Sequence, residues 1–173
     1  MFKFYYRKNN NKKLFKSLEK TDNLGVKSIQ NYIPLYSNFF DINEENYNLI
    51  NLDNKYSINN IEKKLDELSF SIETLNEKND FFKKECFFKI SPLLDPLKYI
   101  MGKYKHIELE NLLLLPNLKN KCYKKILDKN NNAYVDSFFS YLTSKLLHHH
   151  KFTNGLDFYG SFLGIKNDFN INI

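Results

Sequence analysis

Three consecutive histidines, His148, His149 and His150, carry the most conspicuous chemistry in this 173-residue chain, and zinc ligation is what they suggest. Successive side chains on a helix point about 100° apart, so three in a row do not converge on one ion. The i,i+4 pair of an HExxH motif is absent. A closed site would have to recruit His106, Cys86 or Cys122 from elsewhere. The competing expectation is a solvated, basic helix end whose imidazoles meet the negative pole of the helix dipole. That expectation is preferred, and no metal ligand is assigned.

Cys86 and Cys122 do not form a CxxC pair, and two widely separated cysteines suit free thiols in a reducing compartment. Cys86 is expected to behave as a small buried hydrophobe. Cys122 stands among Lys121, Lys124 and Lys125, which would favour its thiolate. Neither has a base close by in sequence, so no nucleophile is assigned. Asp136 is expected to cap a helix or face solvent, and Asp157 to fix a turn. Gly160 and Gly164 lack the spacing of a phosphate-binding loop. The balance leans away from an enzyme, with no catalytic residue and no cofactor.

Basic charge is the next chemical signal. The formal net charge is +6, from 26 basic and 20 acidic residues, yet Arg7 is the only arginine. Phe, Tyr, Met, Ile, Asn and Lys together fill 94 positions, whereas Gly, Ala, Arg, Pro and Trp fill 11. Those two groups have the codons poorest and richest in G and C, so the lysine excess reads as the imprint of an AT-rich genome. Charge is locally concentrated only near the start, where Lys3, Arg7, Lys8, Lys12, Lys13 and Lys16 precede the first acid, Glu19. With Phe2, Phe4, Tyr5 and Tyr6 among them, they could contact phosphates and stack on single-stranded bases. Nucleic-acid binding through this arm is the second functional expectation, as backbone contact without sequence readout.

The elements that would position these residues come from apolar spacing. Ile58, Ile61, Leu65, Leu68, Ile72 and Leu75 are spaced 3, 4, 3, 4, 3, which predicts a long helix over roughly 57–90 with one apolar stripe. Phe70 lies off that stripe. Asp95-Pro96 predicts the start of a short helix closed by Gly102. A buried short helix is expected within 107–118, and another turn near Cys122–Leu127. Val135, Phe138, Phe139, Leu142 and Leu146 predict a second long helix near 133–150. Glycine-punctuated residues 156–165, a turn at Lys166-Asn167-Asp168 and the alternation Phe169–Ile173 predict a β-hairpin.

The expected fold is therefore mainly α with a small C-terminal β-hairpin. Residues 1–20 form a basic aromatic arm, and residues 21–173 a single helical domain. The alternation is still running at Ile173, so the hairpin is expected to pack on the helices, pair with another chain, or continue in a longer parent protein. The longest apolar run, Leu112–Leu115, is far below the ~20 residues of a membrane span, and no secretory leader is read at the start. The leading expectation is a non-enzymatic interaction or structural module. It would use the six-residue stripe and the hairpin to bind a protein partner or a second copy of itself. A third is a fragment of an enzyme completed beyond Ile173.

The segments Ala133–Leu142 and Gly155–Lys166, about the last quarter of the chain, resemble uncharacterised proteins of large AT-rich DNA viruses. The resemblance implies an intracellular viral protein of the cytoplasm or a viral factory. It brings neither an activity nor site residues.

Overall fold

The computed structural model describes residues 3–20, 24–119 and 122–167. It overturns the mainly helical expectation: among the described residues helix accounts for 29% and strand for 25%, with seven strands in three small antiparallel sheets. In order, the elements are β1 (Tyr6–Lys8), α1 (Lys12–Lys20), β2 (Val26–Gln30), a 3-10 turn (Pro34–Asn38), β3 (Ile50–Leu52), β4 (Tyr56–Lys64), β5 (Ser69–Asn76) and β6 (Phe81–Phe87). There follow α2 (Pro96–Ile100), α3 (Leu109–Leu113), α4 (Lys124–Leu127), α5 (Asn132–His150) and β7 (Leu163–Lys166).

The largest correction falls on 57–90, which is the meander β4-β5-β6 and not a helix. Strand β5 alternates cleanly, and Phe70, Ile72 and Thr74 are all fully buried on one face. Two irregularities in β4 imitate a helical period. Ile58 lies opposite Thr74 and Ile61 opposite Ile72, so three residues of β4 match two of β5. The extra residue restores both isoleucines to one face, where an i,i+3 pair on a regular strand would be split. The turn into β5 is closed by Asp66, whose Oδ1 accepts from the backbone N–H of Leu68 and Ser69 at 3.0 and 2.8 Å. Asn79, at φ 63°, supplies the left-handed residue of the next turn.

The stretch read as a basic arm carries β1 and α1. Strand β1 pairs with β3, with Arg7 opposite Asn51. Helix α1 packs on β2 and β4 and buries Phe15 and Leu18. Of the expected first limb, residues 156–165, only Leu163, Gly164 and Ile165 are extended, as part of β7, whose partner is β2. The second limb, expected over Phe169–Ile173, lies outside the described residues. Asp95 caps α2 by accepting from the N–H groups of Leu97 and Lys98. Asn131 caps α5 in the same way through Ala133. In α3 only Leu112 is buried, while Leu109, Leu113 and Leu114 are exposed, so that element is less buried than expected.

Two apolar cores result. In the first, Tyr134, Phe138 and Tyr141 of α5 meet Ile50 and Leu52 of β3 and Ile33, Leu35 and Tyr36 around the 3-10 turn. In the second, Phe15 and Leu18 of α1 cover Phe70, Ile72 and Cys86 of the meander. Residues 158–163 run along the seam: Phe158 and Leu163 belong to the first core, Tyr159 and Phe162 to the second.

Candidate functional site

The six residues expected to form a docking stripe are distributed by the meander. Ile58, Ile61, Leu68 and Ile72 pack into the second core, and Ile72 is completely buried. Leu65 sits exposed at the β4–β5 turn, and Leu75 points to the other face of β5. They form no continuous outward stripe.

Of the basic residues near the start, Lys3, Lys8, Lys12, Lys13 and Lys16 are exposed. On α1 the last three share the face opposite Phe15 and Leu18, as i,i+3 and i,i+4 spacing requires. Arg7 is different. It is half-buried, and its Nη2 donates to the backbone oxygens of Asn54 at 2.8 Å and Leu52 at 3.4 Å.

Helix α5 brings together the apolar surface that the six-residue stripe does not. Its inner face carries Tyr134, Phe138, Tyr141 and the half-buried Leu142; its outer face carries Val135, Phe139 and Leu146. Phe139 is 63% exposed, with Val135 at 46% and Leu146 at 37% beside it. Ser140 and Thr143, at the margin, turn their hydroxyls back to the carbonyls of Asp136 and Ser140, both at 3.0 Å. The spacing of Val135, Phe138, Phe139, Leu142 and Leu146 puts buried and exposed residues on one stripe and leaves out Tyr134 and Tyr141, both of which are buried. The overlooked signal is the recurrence of apolar doublets, Tyr134-Val135 and Phe138-Phe139, whose second members fall outside the arc that one core covers.

The C-terminal half of α5 also carries a polar row, Tyr141, Lys145 and His148, at i, i+4 and i+7. The Tyr141 hydroxyl donates to Asp53 Oδ1, and Lys145 Nζ lies 2.8 Å from Asp53 Oδ2. Burial first, then the Asp53 carboxylate, pushes the Tyr141 phenol far above its usual range. His148 Nε2 is 2.6 Å from Asp157 Oδ1, and Lys84 of β6 donates to Asp157 Oδ2 at 2.9 Å. His148 Nδ1 faces Lys55 Nζ at 3.5 Å. The pattern suits the tautomer that donates from Nε2 and accepts at Nδ1. Burial alone would raise the Asp157 carboxyl; hydrogen bonds from Lys84 and His148 outweigh it and hold the group below the ordinary range. Of the histidine triplet, then, only His148 turns inward, to an ion cluster; His149 and His150 are exposed.

Among the described residues no group of three or more His, Cys, Asp or Glu could hold a metal ion. Both cysteines are free and buried. Burial pushes the Cys86 thiol up to about 11 and raises Cys122 as well, opposite to the activation expected from its lysine neighbours. The His148–Asp157 pair has both imidazole nitrogens engaged by protein groups, which suits tying elements together better than proton transfer. No helix among the described residues is long and apolar enough to cross a membrane. No known protein family, curated protein or solved structure matches the chain.

Proposed function

We propose that this chain is a non-enzymatic interaction module that works through the outer face of α5, with a second copy of itself as the partner. The observation that carries the reading is the exposure of Phe139 between Val135 and Leu146 on a helix whose opposite face is fully committed to a core. Apolar side chains at this spacing form the ridge that packs against another helix. A second α5 in antiparallel orientation sets Val135 against Leu146, with the Phe139 rings of the two copies flanking the two-fold axis, so the face is its own complement. Ser140 and Thr143 favour close approach, because they are small and their hydroxyls are already bonded within the helix. Antiparallel helix dipoles add to the pairing.

Light scattering over a concentration series tests this. The wild-type chain should reach twice the monomer mass at micromolar concentrations, and Phe139→Asp should remain monomeric with an unchanged circular dichroism spectrum. A wild-type chain that stays monomeric at hundreds of micromolar would overturn the reading.

A further inference from the structure

Along the seam between the cores lies a cleft of about 400 Å³, within the size range of small-molecule sites. Arg7 lines it. Three half-buried cations stand in this part of the molecule, and two have carboxylates: Lys84 has Asp157 and Lys145 has Asp53. Arg7 has none within ion-pairing distance among the described residues. Its hydrogen bonds to Asn54 and Leu52 use one nitrogen, Nη2, and go only to neutral carbonyls. The Nε and Nη1 donors remain without a partner among the described residues. A half-buried guanidinium without a counter-ion is costly, and an incoming anion relieves that cost.

The remaining walls define what the anion is attached to. Lys8 adds a second positive charge at the cleft and Glu77 one negative charge, so the lining stays net positive and attracts a phosphomonoester. The guanidinium fork fits phosphate oxygens in a bidentate manner. Tyr159 and Phe162 supply an aromatic wall, and Asn54, whose Nδ2 already donates to the Tyr56 carbonyl, adds an amide oxygen that can accept. Gly160, at φ +138°, leaves open space where a side chain would stand. We infer that the cleft binds a phosphomonoester carried on a flat ring, a nucleoside monophosphate in size and shape. Its phosphate would lie on Arg7 and Lys8, and its ring on Tyr159 and Phe162.

Titration calorimetry on the full chain tests this with AMP, adenosine, ribose 5-phosphate and inorganic phosphate as separate probes. AMP should bind saturably, and each of the others at least about tenfold more weakly, a step of roughly 1.4 kcal/mol. Arg7→Gln should weaken AMP at least about tenfold, and Arg7→Lys, which keeps a point charge without the fork, by less. Ser57→Phe fills the cleft without altering the guanidinium and should also abolish binding; where Arg7→Gln lowers the unfolding midpoint, this variant decides. No saturable binding at millimolar AMP, or AMP binding unchanged in Ser57→Phe, would overturn the proposal. Inorganic phosphate binding as tightly as AMP would overturn the role of the aromatic wall.

Discussion

Asp53 and Asp157 are two carboxylates in similar settings that do different work. Each lies on a connecting segment, each accepts from a lysine that is about three-quarters buried, and each reaches the polar row of α5. Asp53 takes both of its partners, Tyr141 and Lys145, from α5, so it binds the β3–β4 connection to the helix within the first core. Asp157 takes His148 from α5 but Lys84 from β6. Lys84 also lies over the Tyr56 ring at 3.9 Å, and Tyr56 packs edge-on to His148. The second cluster therefore joins the meander to the long helix, and the two cores to each other. An ion pair that closes one core is a local fastening; one that spans two cores decides whether they move as one body.

The strongest way to break this comparison is to remove each acid in turn. Asp157→Ala strips an acceptor from Lys84 and His148 at once and should cost about 3 kcal/mol in urea unfolding; Asp53→Ala should cost about 2 kcal/mol. The difference in location matters more than the difference in size. Cys86, deep in the second core with its thiol raised to about 11, should be inert to iodoacetamide at pH 8 in the wild type. Asp157→Ala should accelerate its alkylation well beyond the effect of Asp53→Ala, because only the former frees the meander from α5. Equal acceleration by the two variants would show that the cores open together and that Asp157 is no special bridge.

Acid titration sharpens the same contrast with a smaller effect. The folded-state pKa of Asp157 lies below that of an unfolded aspartate, about 3.9. Between those two values the unfolded chain binds the extra proton, so the stability contributed by Asp157 is complete above about pH 4 and is lost as pH falls through the folded-state value. The gap in unfolding free energy between wild type and Asp157→Ala should thus be constant near neutrality and narrow below about pH 4. A gap that stays constant down to pH 2 would mean that the alanine variant reports lost packing and not lost ionic partners.

How much of this was legible in the sequence follows from the range of the forces involved. Helix α5 could be read because its apolar spacing is local, although its N-cap is Asn131 and not Asp136, and Asp95-Pro96 marks α2 because a cap is a local signal too. The meander was misread because bulges in β4 gave Ile58 and Ile61 a helical interval, while the true signal, Phe70-Ser71-Ile72-Glu73-Thr74, is a short alternation overlapping it. The exposure of Phe139 was written in the doublets along α5, but only a count of the arc that one core can cover would have shown it. Nothing in the sequence marks the ion clusters. Lys84 and Asp157 are 73 residues apart, and Lys145 and Asp53 are 92, so their pairing is decided by topology alone. Arg7 was singled out by rarity, and its burial beside Asn54 depended on a strand pairing with no local signature.

The smallest expected effect is the most useful control. Lys89 and Asp136 form the shortest lysine–carboxylate salt bridge among the described residues, 2.7 Å, and join the chain just after the meander directly to α5. If distance set the strength of a pair, Lys89→Gln would rank with Asp157→Ala. Their side chains, however, are 63% and 48% exposed, so water and salt screen the attraction and both groups lose little solvation in meeting. Lys89→Gln should move the unfolding midpoint by no more than a few tenths of a kcal/mol, and that shift should vanish in 1 M NaCl. Cys86 alkylation should be unchanged in this variant. A large cost, or a faster Cys86 reaction, would locate the joint between meander and helix at Lys89 and leave Asp157 as one fastening among several.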